Sequence, residues 1–148
     1  MMRPFNAVVV SLLAVAAILP AGARADDDDT IAYRQHVMKT LGELSAALGQ
    51  IVQKKVVVSP DAVVSHTQAL AVTAKMAKVT FQPKVLGGES KPEVWSNWAD
   101  FSKRLDDLTA YADAVASAAK SGGIAAAGPK ITDAQVCKDC HDHYRQKK

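Results

Sequence analysis

Cysteine is scarce: the 148 residues hold two, at positions 137 and 140. Two thiols three positions apart exclude a disulfide framework. An excess of either charge is lacking as well. Lys plus Arg is 18 against 15 Asp plus Glu, a formal net charge of +3. That is too close to neutral for a dedicated nucleic-acid binder, and no basic stripe alternates with aromatics. Glycine is low at 8 residues, which with abundant Ala and Val favours an all-α domain over a turn-rich β-sandwich. Long hydrophobic runs are missing too. The extended apolar stretch, Ala7 to Leu19, is too short to span a membrane.

That stretch has a different reading. Arg3 precedes it, Pro20 breaks it, and Ala23-Arg24-Ala25 forms a small-x-small cleavage site. Residues 1–25 are expected to be a secretory signal peptide. Removal after Ala25 leaves residues 26–148 as one exported domain with no membrane span. At 49% hydrophobic and 22% charged residues overall, the composition is that of a globular chain.

Helical periodicity dominates the rest. Asp26 to Asp29 are acidic residues suited to the start of a helix. A first helix is expected from about Thr30 to Gln53, with an apolar stripe at Val37/Met38, Leu41, Leu44, Leu48 and Ile51/Val52. Ser59-Pro60 opens a second, which runs to about Thr80 before Pro83 and carries Val63, His66/Thr67, Leu70, Thr73/Ala74, Ala77 and Phe81. Ser90 to Glu93 reads as a capping box for a third, from Val94 to Ala119, terminated by Ser121-Gly122-Gly123. Ile124 to Lys130 is expected as a loop. Thr132 or Asp133 would then cap a fourth helix ending near Gln146. Four such helices imply an antiparallel four-helix bundle.

The chemistry sits on the last helix. Cys137-Lys138-Asp139-Cys140-His141 is C-x-x-C-H, the attachment signature of a c-type haem. On a helix the residues at i, i+3 and i+4 share a face. Two thioethers there hold a porphyrin edge while the imidazole of His141 serves as the proximal iron ligand. A zinc site would need more ligands than His36, His66 and His143 readily supply. A redox C-x-x-C would open a helix after a strand, which this chain lacks. A disulfide within one helix would be strained and would staple nothing.

The chain resembles the class II cytochromes c, the cytochrome c prime family. The resemblance covers nearly all of residues 30–148. It rests on Tyr33-Arg34-Gln35 with Met38 one turn on, on Lys91-Pro92-Glu93-Val94-Trp95, and on Cys137 through Arg145 late in the chain. It implies one covalent haem c on the C-terminal helix. It also implies that Arg34 and Gln35 touch the haem, with the arginine near a propionate, and that Glu89 lies at a haem edge. Arg145, four residues after His141, would shield the proximal side or stand as a surface cation. Members of this class often pair through their first two helices, so a homodimer is implied, with redox partner proteins in the periplasm.

Met38 matches the position over the open haem face. If its thioether binds iron, the haem is six-coordinate and the protein carries single electrons. If it only packs, the haem is five-coordinate and high-spin, with room for nitric oxide or carbon monoxide. Both types occur in the family. No His/Arg pair at a compelling spacing suggests a peroxidase, so an electron carrier or a gas-binding protein is expected and not an enzyme. Met76 and His66 lie near the second stripe and read as core residues. Trp95, Trp98, Phe81 and Phe101 read as core or haem wall.

Overall fold

The computed structural model describes residues 26–147. The expected signal peptide, residues 1–25, lies outside them. Among the described residues no helix is long and apolar enough to cross a membrane.

Helix α1 spans Asp27–Val52. Asp26 caps it, its carboxylate accepting from Asp28 N at 3.4 Å, and three aspartates fill the first turn where the helix dipole favours them. Helix α2 spans Pro60–Phe81, with the Ser59 hydroxyl accepting from Ala62 N at 3.2 Å and proline at the first turn. Both stripes face inward as the periodicity requires. Val37, Leu41, Leu48 and Ile51 of α1 are buried, and so are Val63, Thr67, Leu70, Ala74, Ala77 and Phe81 of α2. Met76 departs from expectation: it is exposed, on an outer face with Val72 and Val79.

The third expected helix is broken near its start. Helix α3 is one turn, Glu93–Ser96, and α4 follows as Trp98–Thr132. Asn97 separates them at φ −120°, ψ 48°. The Ser90–Glu93 capping box does not form: Pro92 is the N-cap and no side chain caps the helix. Ser90 instead pairs its main chain with Gly87 and Arg145.

Helix α4 bends where the sequence predicts a stop, at Gly122 and Gly123, which depart from helical backbone. The segment after the bend is helical through Thr132, although a loop was expected there. Ala125 to Ala127 are strong helix formers, and they outweigh the Gly128-Pro129 signal. Thr132 does not cap the next helix either. Its hydroxyl donates back to the carbonyls of Gly128 and Pro129. Asp133 closes α4. Helix α5 begins at Gln135 with no side-chain cap and ends at Tyr144, two residues short of Gln146. Arg145 is extended, because the chain there pairs with the loop before α3.

The result is an all-α, antiparallel four-helix bundle, its fourth member formed by residues 124–132 and α5. Its core runs through Leu48, Val63, Leu70, Phe101, Leu105, Val115 and Ala119. Helix α2 packs most extensively, against α4 and then α1, whereas α5 rests on α4 with no substantial packing on α1.

Candidate haem-binding site

Helix α5 carries Cys137, Cys140 and His141 within five residues. Both thiols are free and half-buried. Burial pushes both up from their ordinary range, and at Cys140 the nearby Arg104 charge partly offsets this. Crowding by protein atoms holds the His141 imidazolium below its usual range, followed by the Arg145 charge. A neutral ring is the form that gives a lone pair to iron. A cleft of about 440 Å³ lies beside it, lined by His141, Asp142, Arg145, Gln146 and Lys147. Among the described residues no three His, Cys, Asp or Glu side chains group to hold a metal ion.

The loop from residue 82 to 92 joins α5 to α1. Glu89 meets Arg145, with Arg145 Nη2 to Glu89 Oε2 at 2.6 Å and Nε donating to the same oxygen at 2.7 Å. Gln146 N donates to Glu89 O at 2.8 Å. At its other end the loop lies on the first turns of α1. Gly87 and Gly88 both have positive φ, and a Cβ on Gly88 would come within 2.8 Å of Gln35 Nε2. Gln35 is otherwise exposed.

Arg34 is the buried cation of this region, at 2% exposure. Its guanidinium donates to Val85 O at 3.1 Å and Gly87 O at 3.2 Å. Phe81 and Trp95 flank it with ring centroids at 5.1 and 5.0 Å. Burial lowers its pKa, as expected for a desolvated charge. These partners are neutral. Met38, one turn further along α1, is half-buried and packed against the core.

The residues present fit a covalently held haem. Thiols and imidazole share a short helix, and α5 has no substantial packing on α1, while the Arg34 guanidinium is already covered by loop carbonyls and aromatic rings. A match to the family model described as "Cytochrome C'" spans residues 29–145. The chain belongs to the cytochrome c' family. Members of the family carry one covalent c-type haem, and Cys137 and Cys140 are the residues that would hold it here. Cytochrome c' of Alcaligenes xylosoxydans xylosoxydans is 24% identical over 125 residues, covering 84% of this chain and 98% of that protein. A cytochrome c-556 of Agrobacterium tumefaciens (strain II Chrys) is 30% identical over 118 residues, covering 78% and 95%. Among solved structures, ferric cytochrome c prime from Alcaligenes xylosoxidans superposes with a TM-score of 0.78 at 24% identity, covering 84% of this chain and 98% of that one. Variants of that protein have been solved with nitric oxide and with carbon monoxide bound.

Several residues at the site were not singled out from sequence. Tyr144 is buried on α5, and its hydroxyl donates to Asp100 Oδ2 at 2.6 Å and accepts from Asn97 Nδ2 at 3.0 Å. Arg104 Nε donates to the same Asp100 oxygen at 2.7 Å. The four-residue spacing of Asp100 and Arg104 was a visible signal for a helix ion pair. Nothing local in the sequence marks Tyr144 as their partner. His66 is half-buried, and His36 and His143 are exposed.

Proposed function

We propose that this protein is an exported, periplasmic single-electron carrier, not an enzyme, and that His141 and Met38 would hold its haem iron. When bound, the haem supplies one-electron exchange between ferric and ferrous iron. The residues determine the rest. Cys137 and Cys140 anchor the group, and His141 offers a neutral imidazole. Arg34, Gln35 and Glu89 stand as its polar neighbours. The observation that supports electron transfer over gas binding is Met38: a soft thioether on the inward side of α1, one turn beyond Arg34. Sulfur ligation raises a reduction potential and closes the sixth position.

The test is Met38→Leu, which keeps the volume and removes the sulfur. A carrier predicts that the wild-type ferrous protein is slow to bind carbon monoxide and the variant fast. Equal, rapid binding by both would sink the assignment.

The nitric oxide and carbon monoxide complexes of variants of the Alcaligenes protein support a second reading. In that reading Met38 only packs, and the protein is a five-coordinate gas binder. Redox partner proteins and a homodimer through α1 and α2 remain part of the proposal.

A further inference from the structure

We infer that Tyr144 is a positioning residue for His141, acting through a clamp formed by Asp100, Asn97 and Arg104. Helix α5 is 10 residues long. A helix that short is marginal by itself, so tertiary contacts must set its direction. Its N-terminal end has no side-chain cap. Its C-terminal end is held three ways, and each hold lies within the turn that carries His141.

The first is burial. Tyr144 is the buried residue of α5, at 6% exposure, and its ring meets Phe101 edge-on with centroids 5.0 Å apart. The second is the hydroxyl, which donates to Asp100 at 2.6 Å and accepts from Asn97 at 3.0 Å. Arg104 anchors Asp100 from the other side. Both hydrogen-bonding roles of the phenol are filled, so the ring cannot rotate or slide without breaking a bond to a charged group. The third is Lys91. Its ammonium donates to the carbonyls of Asp142 and His143, and its main-chain N–H donates to Tyr144 O.

Asn97 is also the residue that breaks α3 from α4. The elbow therefore delivers its amide to the tyrosine hydroxyl, while the first turn of α4 delivers Asp100. His141 lies three residues before Tyr144, on the neighbouring part of the same turn. Fixing the tyrosine fixes the direction in which the imidazole is presented. The inference rests on His141 being the iron ligand and is indifferent to the sixth ligand.

The experiment uses the ferric holoprotein. Tyr144→Phe keeps the ring and the packing but removes the hydroxyl. Asp100→Asn removes the charged acceptor. Hyperfine-shifted proton resonances of the His141 ring report its orientation, and hydrogen exchange of residues 135–144 reports how firmly α5 is held. The clamp predicts that both variants move the His141 resonances in the same direction. It predicts that the double variant moves them no further than the larger single change. Exchange in α5 should rise about tenfold in each, as for loss of one charge-assisted hydrogen bond. Lys75→Ala, which removes an exposed ion pair with Asp113 away from α5, should leave the resonances in place. Faster exchange with unmoved His141 resonances would reduce Tyr144 to a stability role and overturn the inference. So would a shift in Tyr144→Phe that Asp100→Asn does not reproduce.

Discussion

Replacing Arg34 with leucine tests whether a buried cation anchors the loop that links α1 to α5. The substitution leaves the carbonyls of Val85 and Gly87 without their donors. Each orphaned buried acceptor costs about 1–3 kcal/mol. It also removes two cation–aromatic contacts, to Phe81 and Trp95, of about 0.5–2 kcal/mol each. Against this stands the relief of no longer desolvating a charge, which is several kcal/mol in the opposite direction. Leucine also packs well between two aromatic rings. The balance is a net loss of about 2–4 kcal/mol, smaller than the sum of the lost contacts. At about 4 °C per kcal/mol for a domain of this size, the melting temperature should fall by about 8–16 °C. The assay is thermal unfolding of the holoprotein followed by helical circular dichroism. Arg34→Lys should recover only part of the loss. An ammonium cannot reach two carbonyls as a planar fork while lying flat between two rings. A leucine variant within about 1 kcal/mol of wild type, or a lysine variant equal to it, would refute the reasoning.

Other perturbations bear on separate parts of the account. Replacing both Cys137 and Cys140 with alanine should abolish covalent attachment, so that the intact mass falls by one haem beyond the lost sulfurs. Leu48 is fully buried, and Leu48→Ala should destabilise by about 2–5 kcal/mol in denaturant unfolding with no change in the optical spectrum. Gly88→Ala places a methyl group within 2.8 Å of Gln35 Nε2 and 3.0 Å of Ile31 Cγ2 at positive φ. It should cost about 1–3 kcal/mol, read from the same unfolding curves. The Arg104 and Tyr144 hydrogen bonds hold the Asp100 carboxyl below its usual range. A depressed carboxyl stabilises the fold above the unfolded pKa, and that contribution is lost as the pH falls through the folded one. Asp100→Asn should therefore be less stable than wild type at neutral pH, and the gap should close on acidification below the usual carboxylate range.

Much of this molecule can be read locally. The Ser59 cap and the inward stripes of α1 and α2 depend on spacings of a few residues and form where those spacings place them, whereas α1 begins at Asp27, ahead of the expected Thr30, with Asp26 as its cap. The glycine pair at 122–123 also bends the chain where expected. What escaped reading depends on partners distant in sequence. Ser90 carries a good capping-box pattern, yet its main chain is taken by Arg145, 55 residues on, because that pairing closes the end of the bundle. Residues 124–132 hold two loop signals and are helical, since alanines between them and packing of Gly128 on Val52 tip the balance. The family resemblance marks Arg34, but its loop carbonyls and aromatic neighbours lie some 50 positions later or on other helices. Tyr144 and Asp100 are 44 residues apart, and only the fold brings them together.

The claim that Met38 completes the iron's coordination is tested most directly by optical spectra of the ferric and ferrous holoprotein, followed by addition of carbon monoxide. Ligation by the Met38 sulfur predicts sharp, split low-spin ferrous bands, a sulfur-to-iron band in the ferric state and little reaction with carbon monoxide. A broad high-spin spectrum that shifts promptly with carbon monoxide would contradict it and make gas binding the function of this bundle.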